Sequence, residues 1–260
     1  MWSLNPAERI VVLSSDRITL TRPARVRLGK IDACEHIDCS REPAGTGSEA
    51  WQPALETLTH WLVQKSKAKL KLHVLLSGRF VRWQLLPWQD EVSRPKEIET
   101  YASLRFSSIF GKAASSWQVT HSPPRPGLPV PACAVDATLI SALRKACDEA
   151  GVSLTSIEPY FSFEFDRLRS SLHKKAAWFG LIESDCVSLG LLRAGQWLGL
   201  RSQRIDGEWR DVLPGMMAQL GIAVGLKEES VPLFLTGGDN TPTPTAGLAF
   251  TWLESKTQNV

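Results

Sequence analysis

The 260-residue chain has two tyrosines, three methionines, five cysteines and no long apolar run. An odd number of cysteines at irregular spacing excludes a disulfide framework and points to free thiols in a reduced, cytoplasmic compartment. Cys34, His36 and Cys39 fall within six residues. No second Cys/His pair follows at zinc-finger spacing, and structural zinc takes four ligands, so no metal site is expected. The longest apolar stretch, Leu213–Leu226, has 14 residues and is broken by Pro214 and Gln219. A bilayer needs about 18–20 such residues, so the stretch predicts a buried helix and no direct membrane insertion. Met1–Ile10 lacks the apolar core of a secretory signal. The net charge is +3 and the basic residues are scattered. Without a basic stripe studded with aromatics, no nucleic-acid partner is expected. Lys65–Lys69 and Lys174–Lys175 read as solvated surface.

Catalytic signatures are missing as well. The P-loop pattern, the His-Glu-x-x-His zinc pattern and the Gly-x-Ser-x-Gly elbow are all absent. Gly45-Thr46-Gly47-Ser48 precedes a helix but lacks the P-loop lysine, and Ser48 reads as an N-cap. The histidines at 36, 60, 73, 121 and 173 fit no triad spacing, and His73 reads as a satisfied core or edge residue. No catalytic residue is nominated.

Ten tryptophans are present. Most are expected in the core, with Trp2, Trp197 and Trp209 as the exposed cases that would mark a partner surface. Length allows one or two domains. Ala24–Ile31 alternates like a strand, and Cys39–Gly47 is polar and loop-like. Trp51, Leu55, Leu58 and Leu62 recur at helical spacing. Leu70–Ser77 is an aliphatic strand of the kind buried between helices. A helix is predicted from about Ser93, with Pro95 in its first turn and Gly111 as its stop. Trp117–His121 predicts a short strand, and five prolines in His121–Pro131 predict an extended loop. Asp136 is the expected N-cap of the best-defined helix, which ends at Gly151. Val152–Ile157 leads to a new strand, and a helical passage follows Glu158-Pro159. Beyond residues 207–226, read as helical, come a strand at Val231–Gly238, turns from Asn240 and a last apolar strand at Leu248–Leu253. Lys256–Val260 reads as a natural polar end.

Two segments share one layout. Arg9–Leu20 and Ala177–Leu192 are each an apolar run, a short polar turn and a second apolar run, which predicts two β-hairpins. Each is followed by further strand-like residues and then a helix, as in two homologous halves. The order resembles the actin-like ATPase superfamily, and within it PilM of type IV pili, the cytoplasmic part of GspL from type II secretion, and MshI. Val74–Trp88, Ala132–Asp136 with Gly151 and Glu158-Pro159, the hairpin region 177–205, and Leu235–Gly238 carry the resemblance. It implies an α/β, two-lobed actin-like (duplicated ribonuclease H-like) fold of mixed sheets flanked by helices, with a small inserted subdomain. Lobe I would cover residues 1–155, with the insert at about 80–131, and lobe II residues 156–260.

In ATP-binding members the first turn reads Asp-x-Gly-Ser, and its carboxylate helps hold magnesium, which prefers oxygen ligands. Here Val12, Leu13 and Ser14 occupy those places, and Asp16 comes late, on the turn. In the second hairpin Leu181, Ile182 and Glu183 stand where an acid and a glycine are wanted, with Asp185 nearby. The resemblance therefore implies a vestigial nucleotide site at Ser14, Ser15, Asp16, Gly237 and Gly238. No metal or cofactor is expected, ATP being the one candidate. The implied role is a cytoplasmic scaffold of a pilus or secretion assembly platform, held at the inner face of the inner membrane through a partner. That partner would be a PilN-like inner-membrane component, with the assembly ATPase as a second contact. The alternative is an ATPase or small-molecule kinase of the same superfamily, with Asp16, Glu183 or Asp185 taking over the metal.

Overall fold

A computed structural model describes residues 8–21, 34–39, 49–65, 70–92, 94–172, 175–227, 230–237 and 248–253. The readings for Trp2, Ala24–Ile31, the loop after Cys39, Gly45–Ser48, Ser66–Lys69, Ser93, His173, Lys174, Gly238, the turns from Asn240 and the end at 256–260 lie outside the described residues.

The chain divides into two compact units, one formed by residues 1–80, 138–163 and 254–260 and the other by 81–137 and 164–253. In the first, β1 (Glu8–Leu13), β2 (Arg17–Thr21), β3 (Glu35–Asp38), β4 (Lys71–Leu76) and β8 (Ser153–Pro159) form a sheet in the order β3-β2-β1-β4-β8. The first three strands pair antiparallel, while β1–β4 and β4–β8 pair parallel. In the second unit, β9 (Ala176–Ile182), β10 (Cys186–Arg193), β11 (Gln196–Arg204), β12 (Leu233–Gly237) and β13 (Thr251–Trp252) form a sheet in the order β11-β10-β9-β12-β13. Its strand directions repeat those of the first. Two five-stranded sheets with the same order and directions are the duplicated ribonuclease H-like arrangement that the resemblance implies.

Helix α1 (Gln52–Lys65) crosses over from β3 to β4 and buries Ala54, Leu58, Trp61 and Leu62. Helix α3 (Ala137–Glu149), the helix expected between Asp136 and Gly151, buries Leu139, Ile140, Leu143, Ala146 and Cys147 along one face. Helix α4 (Tyr160–Leu168) carries the chain from the first unit into the second. Its Phe163 meets the His73 ring edge-on, with centroids 5.5 Å apart. His73 Nε2 abuts the Glu158 carboxylate from the neighbouring strand.

The second sheet is buried on both faces, since every residue of β9 is buried. Helix α5 (Trp209–Ala223) covers one face, packing Leu213 and Met216 on Trp178, Leu189, Leu191 and Leu235. Phe165 of α4 packs against Phe179 at 5.5 Å and Trp197 at 4.5 Å. Gly190 lies beneath Trp197, and a Cβ there would fall 2.2 Å from the indole Cζ3. Trp209 is buried edge-on against Phe250 at 5.8 Å, and Trp197 is half-buried. The expected exposure of these two is corrected. Each sits beside a turn, but the second core needs its ring area as filler. None of the nine described tryptophans is exposed.

A third sheet holds β5 (Val81–Leu86), β7 (Val130–Asp136) and β6 (Trp117–His121), all antiparallel in the order β5-β7-β6. Helix α2 (Pro95–Phe110) lays Ile98, Ala102 and Phe106 on Leu86, Val119, Val130, Ala132 and Ala134. It starts and stops where Pro95 and Gly111 predict, with the Arg94 N–H donating to the Glu97 carboxylate (3.1 Å) and Gly111 at φ +63°. The central strand β7 was not legible in the sequence. Its small residues and Pro131 carry little strand propensity, and pairing on both edges supplies what they lack. At the other end, β13 spans only Thr251–Trp252 of the last apolar segment.

Candidate functional site

Both hairpin turns follow the same backbone plan. In the first, Ser14 N–H donates to the Arg17 carbonyl (3.1 Å), and Cys39 N–H donates to the Asp16 carbonyl (2.8 Å). In the second, Glu183 N–H donates to the Cys186 carbonyl (2.9 Å), and Ile205 N–H donates to the Asp185 carbonyl (2.9 Å). Leu13 pairs with Leu76 of β4, as Ile182 pairs with Gly237 of β12. These bonds match Ser14-Ser15-Asp16 with Glu183-Ser184-Asp185, residue for residue.

The side chains differ. Leu13 is fully buried and Ser14 nearly so, and both close the end of β1. Asp16 lies on the turn, and its carboxylate meets Arg17 Nε at 3.4 Å. Ser77, just past β4, donates its N–H to the Leu13 carbonyl (3.0 Å), which places it beside the first turn. It is completely buried, and its hydroxyl accepts the Arg79 N–H (3.1 Å). The sequence reading did not single out Ser77. A serine closing an aliphatic strand before glycine was its only signal. In the second turn Glu183 is only 8% exposed, Ser184 is exposed and Asp185 is half-buried.

Magnesium takes oxygen ligands, commonly one or two carboxylates. Val12 and Leu181, which stand in the acid's place of the family pattern, are apolar, and Leu13 and Ile182 close the two strands. Asp16 carries a guanidinium beside it, which competes for the same oxygens. Gly237 has φ +101°, and a Cβ there would fall 2.3 Å from the Ile182 carbonyl oxygen. Close approach of β12 to β9 thus requires this glycine whatever binds nearby. Of the five residues read as a vestigial site, Ser14, Ser15 and Asp16 share one turn in the first unit. Gly237 lies in the second unit, and Gly238 is outside the described residues.

Among the described residues, no group of three or more His, Cys, Asp or Glu side chains is placed to hold a metal ion. His36 Nδ1 lies 3.0 Å from Thr19 Oγ1. Cys34 is exposed at one end of β3, and Cys39 is buried at the other. Burial raises the Cys39 thiol, with the Thr57 hydroxyl opposing and the Asp16 and Asp38 charges adding to the rise. No described helix is long and apolar enough to cross a membrane.

No family model matches the sequence, and no curated protein matches it either. Solved structures do match. The cytoplasmic domain of EpsL, an inner-membrane component of the type II secretion system of Vibrio cholerae, superposes with a TM-score of 0.60 at 11% identity, covering 95% of this chain and 89% of that one. A Bacteroides thetaiotaomicron protein with an actin-like ATPase fold gives 0.58 at 12% identity, covering 92% and 86%. A PilM–PilN type IV pilus biogenesis complex gives 0.60 at 14% identity, covering 89% and 81%.

Proposed function

With an actin-like fold established, we propose that this chain is a cytoplasmic scaffold of a type IV pilus or type II secretion assembly platform, working by docking rather than by ATP turnover. One observation supports the reading: two hairpin turns of matching hydrogen bonding carry apolar residues, Val12 and Leu181, in the places where the family's ATP-binding members have the acid. Ser14, Ser15, Asp16, Gly237 and Gly238 are then the remnant of a nucleotide clamp whose backbone outlived its chemistry. The likeness to the EpsL cytoplasmic domain and to PilM bound to PilN supports the choice of system. The partner is an inner-membrane component with a PilN-like cytoplasmic segment, which holds the chain at the inner face of that membrane. The assembly ATPase is a second contact.

Two measurements test the reading separately. Calorimetry with ATP and magnesium is expected to give no binding at submillimolar concentration, and submillimolar affinity would return the chain to the ATP-dependent enzymes. Co-purification with the pilus and secretion inner-membrane proteins is expected to recover one of them, and recovery of none would remove the docking role.

A further inference from the structure

His121, the last residue of β6, directs both ring nitrogens at backbone carbonyls. Nδ1 lies 2.9 Å from the Ser122 oxygen and Nε2 3.3 Å from the Pro95 oxygen at the start of α2. Carbonyl oxygens only accept, and a neutral imidazole carries a single N–H. The neutral ring therefore satisfies one contact and sets a nitrogen lone pair against an oxygen lone pair at the other. Imidazolium donates to both. We infer that His121 is a proton-operated latch that fastens the N-terminal turn of α2 to the small sheet when charged and releases it when neutral.

The latch spans elements far apart in sequence, since Pro95 and His121 are separated by 26 residues. It adds to the ties that the first turn makes within itself. The first turn of α2 has the Arg94 N–H to Glu97 carboxylate cap and the Ile98 N–H to Arg94 carbonyl bond (3.0 Å). Its apolar anchor begins at Ile98.

Charged residues lie on the elements next to the ring. On α2 these are Arg94, Lys96 and Glu97, with Arg94 Nη1 3.7 Å from Glu97. The strand beside it, β7, presents uncharged Pro131, Ala132 and Cys133, and Arg82 on β5 lies one strand beyond. Arg125 follows in the next loop. Histidine is the side chain whose charge ordinarily changes between about pH 5 and 8, which suits it to such a switch.

Hydrogen exchange in the intact protein tests this. After correction for intrinsic rates, protection of the Ile98 amide is expected to fall roughly five-fold between pH 5.5 and pH 7.5, as befits loss of one hydrogen bond. In His121→Gln, whose side-chain amide does not titrate, protection is expected to be the same at both pH values. Nitrogen chemical shifts of the His121 ring in the unaltered protein are expected to show both nitrogens protonated at pH 5.5. Equal protection at the two pH values in the unaltered protein overturns the inference. So does an undiminished pH dependence in His121→Gln, or a ring that stays neutral at pH 5.5.

Discussion

The two five-stranded sheets share strand order, strand directions and turn hydrogen bonds, yet they solve the end of the hairpin differently. In the first unit the strand beside the turn ends in Leu76, almost wholly buried and paired with Leu13. In the second the same pairing position holds Gly237, at φ +101°, against Ile182. The first sheet ends in β3, a four-residue edge strand with mostly exposed side chains, whereas β9 and β10 of the second are buried almost end to end. The difference teaches that topology was retained while local backbone was refitted to each core. Glycines in the second sheet answer to close packing: Gly180 approaches Leu235, Gly190 lies beneath Trp197, and Gly199 meets Leu220.

The sharpest way to break this comparison is Gly237→Ala. A Cβ at this position meets backbone, which cannot swing aside, and the φ itself is unfavourable for any other residue. A loss of about 3 kcal/mol or more is expected in denaturant unfolding. A tolerated alanine would show that β12 can shift, and would leave nucleotide binding as the remaining reason for glycine there.

Gly190→Ala is expected to cost about 2 kcal/mol, because the new methyl overlaps the Trp197 ring and the ring or strand must move. The test is a double-mutant cycle. In a Trp197→Leu background most of the Gly190→Ala cost should vanish, giving a coupling of about 1 kcal/mol or more. Additive costs would mean that the indole does not own the space above the glycine.

Much of this architecture was legible because it is written in periodicity. The hairpin layout of Arg9–Leu20 and Ala177–Leu192 needs only two apolar runs and a polar turn, and Pro95 and Gly111 bracket α2 by backbone geometry alone. Strand β7 was illegible because Ala132, Cys133 and Ala134 take their conformation from neighbours on both edges. Trp197 and Trp209 were misread because nearness to a turn in sequence says nothing about whether a ring folds back over the sheet. At the turns, the apolar Val12 and Leu181 in the acid's place of the family pattern were readable directly. The buried Ser77 beside Leu13 and the Asp16–Arg17 pairing needed coordinates, since they depend on which side chains meet across strands.

Alkaline pH probes the first unit through Cys147, on the inner face of α3. Burial, reinforced by Asp148, raises its thiol to about 11. An unfolded cysteine ionises near pH 8.5. Between those values the unfolded chain binds fewer protons than the folded one, so stability is expected to fall as pH rises from about 9 to 11. Below about pH 8 this group contributes no slope. In Cys147→Ala the part of the alkaline loss due to this thiol should disappear. At neutral pH a maleimide should label exposed Cys34 well before Cys147. Equal labelling rates would contradict a buried α3 face.

The smallest expected effect lies in the second unit, at the turn joining β10 to β11. Ala194 and Gly195 both have positive φ, 51° and 75°, as a tight primed hairpin turn demands. Glycine adopts that geometry freely, while alanine holds it against its Cβ. The Ala194 N–H donates to the Lys175 carbonyl (2.8 Å), so only a residue that keeps its N–H and accepts positive φ can replace it. Ala194→Asn meets both conditions, and asparagine is the non-glycine residue best suited to this region. It is expected to stabilise the protein by about 0.5–1 kcal/mol, read from the denaturation midpoint at unchanged slope. Ala194→Pro removes the N–H and forces φ negative, so it should destabilise at the same site. If asparagine gave no gain while proline cost nothing, the turn would not have the primed form, and the pairing of Arg193 with Gln196 that sets the register of β11 would have to be redrawn.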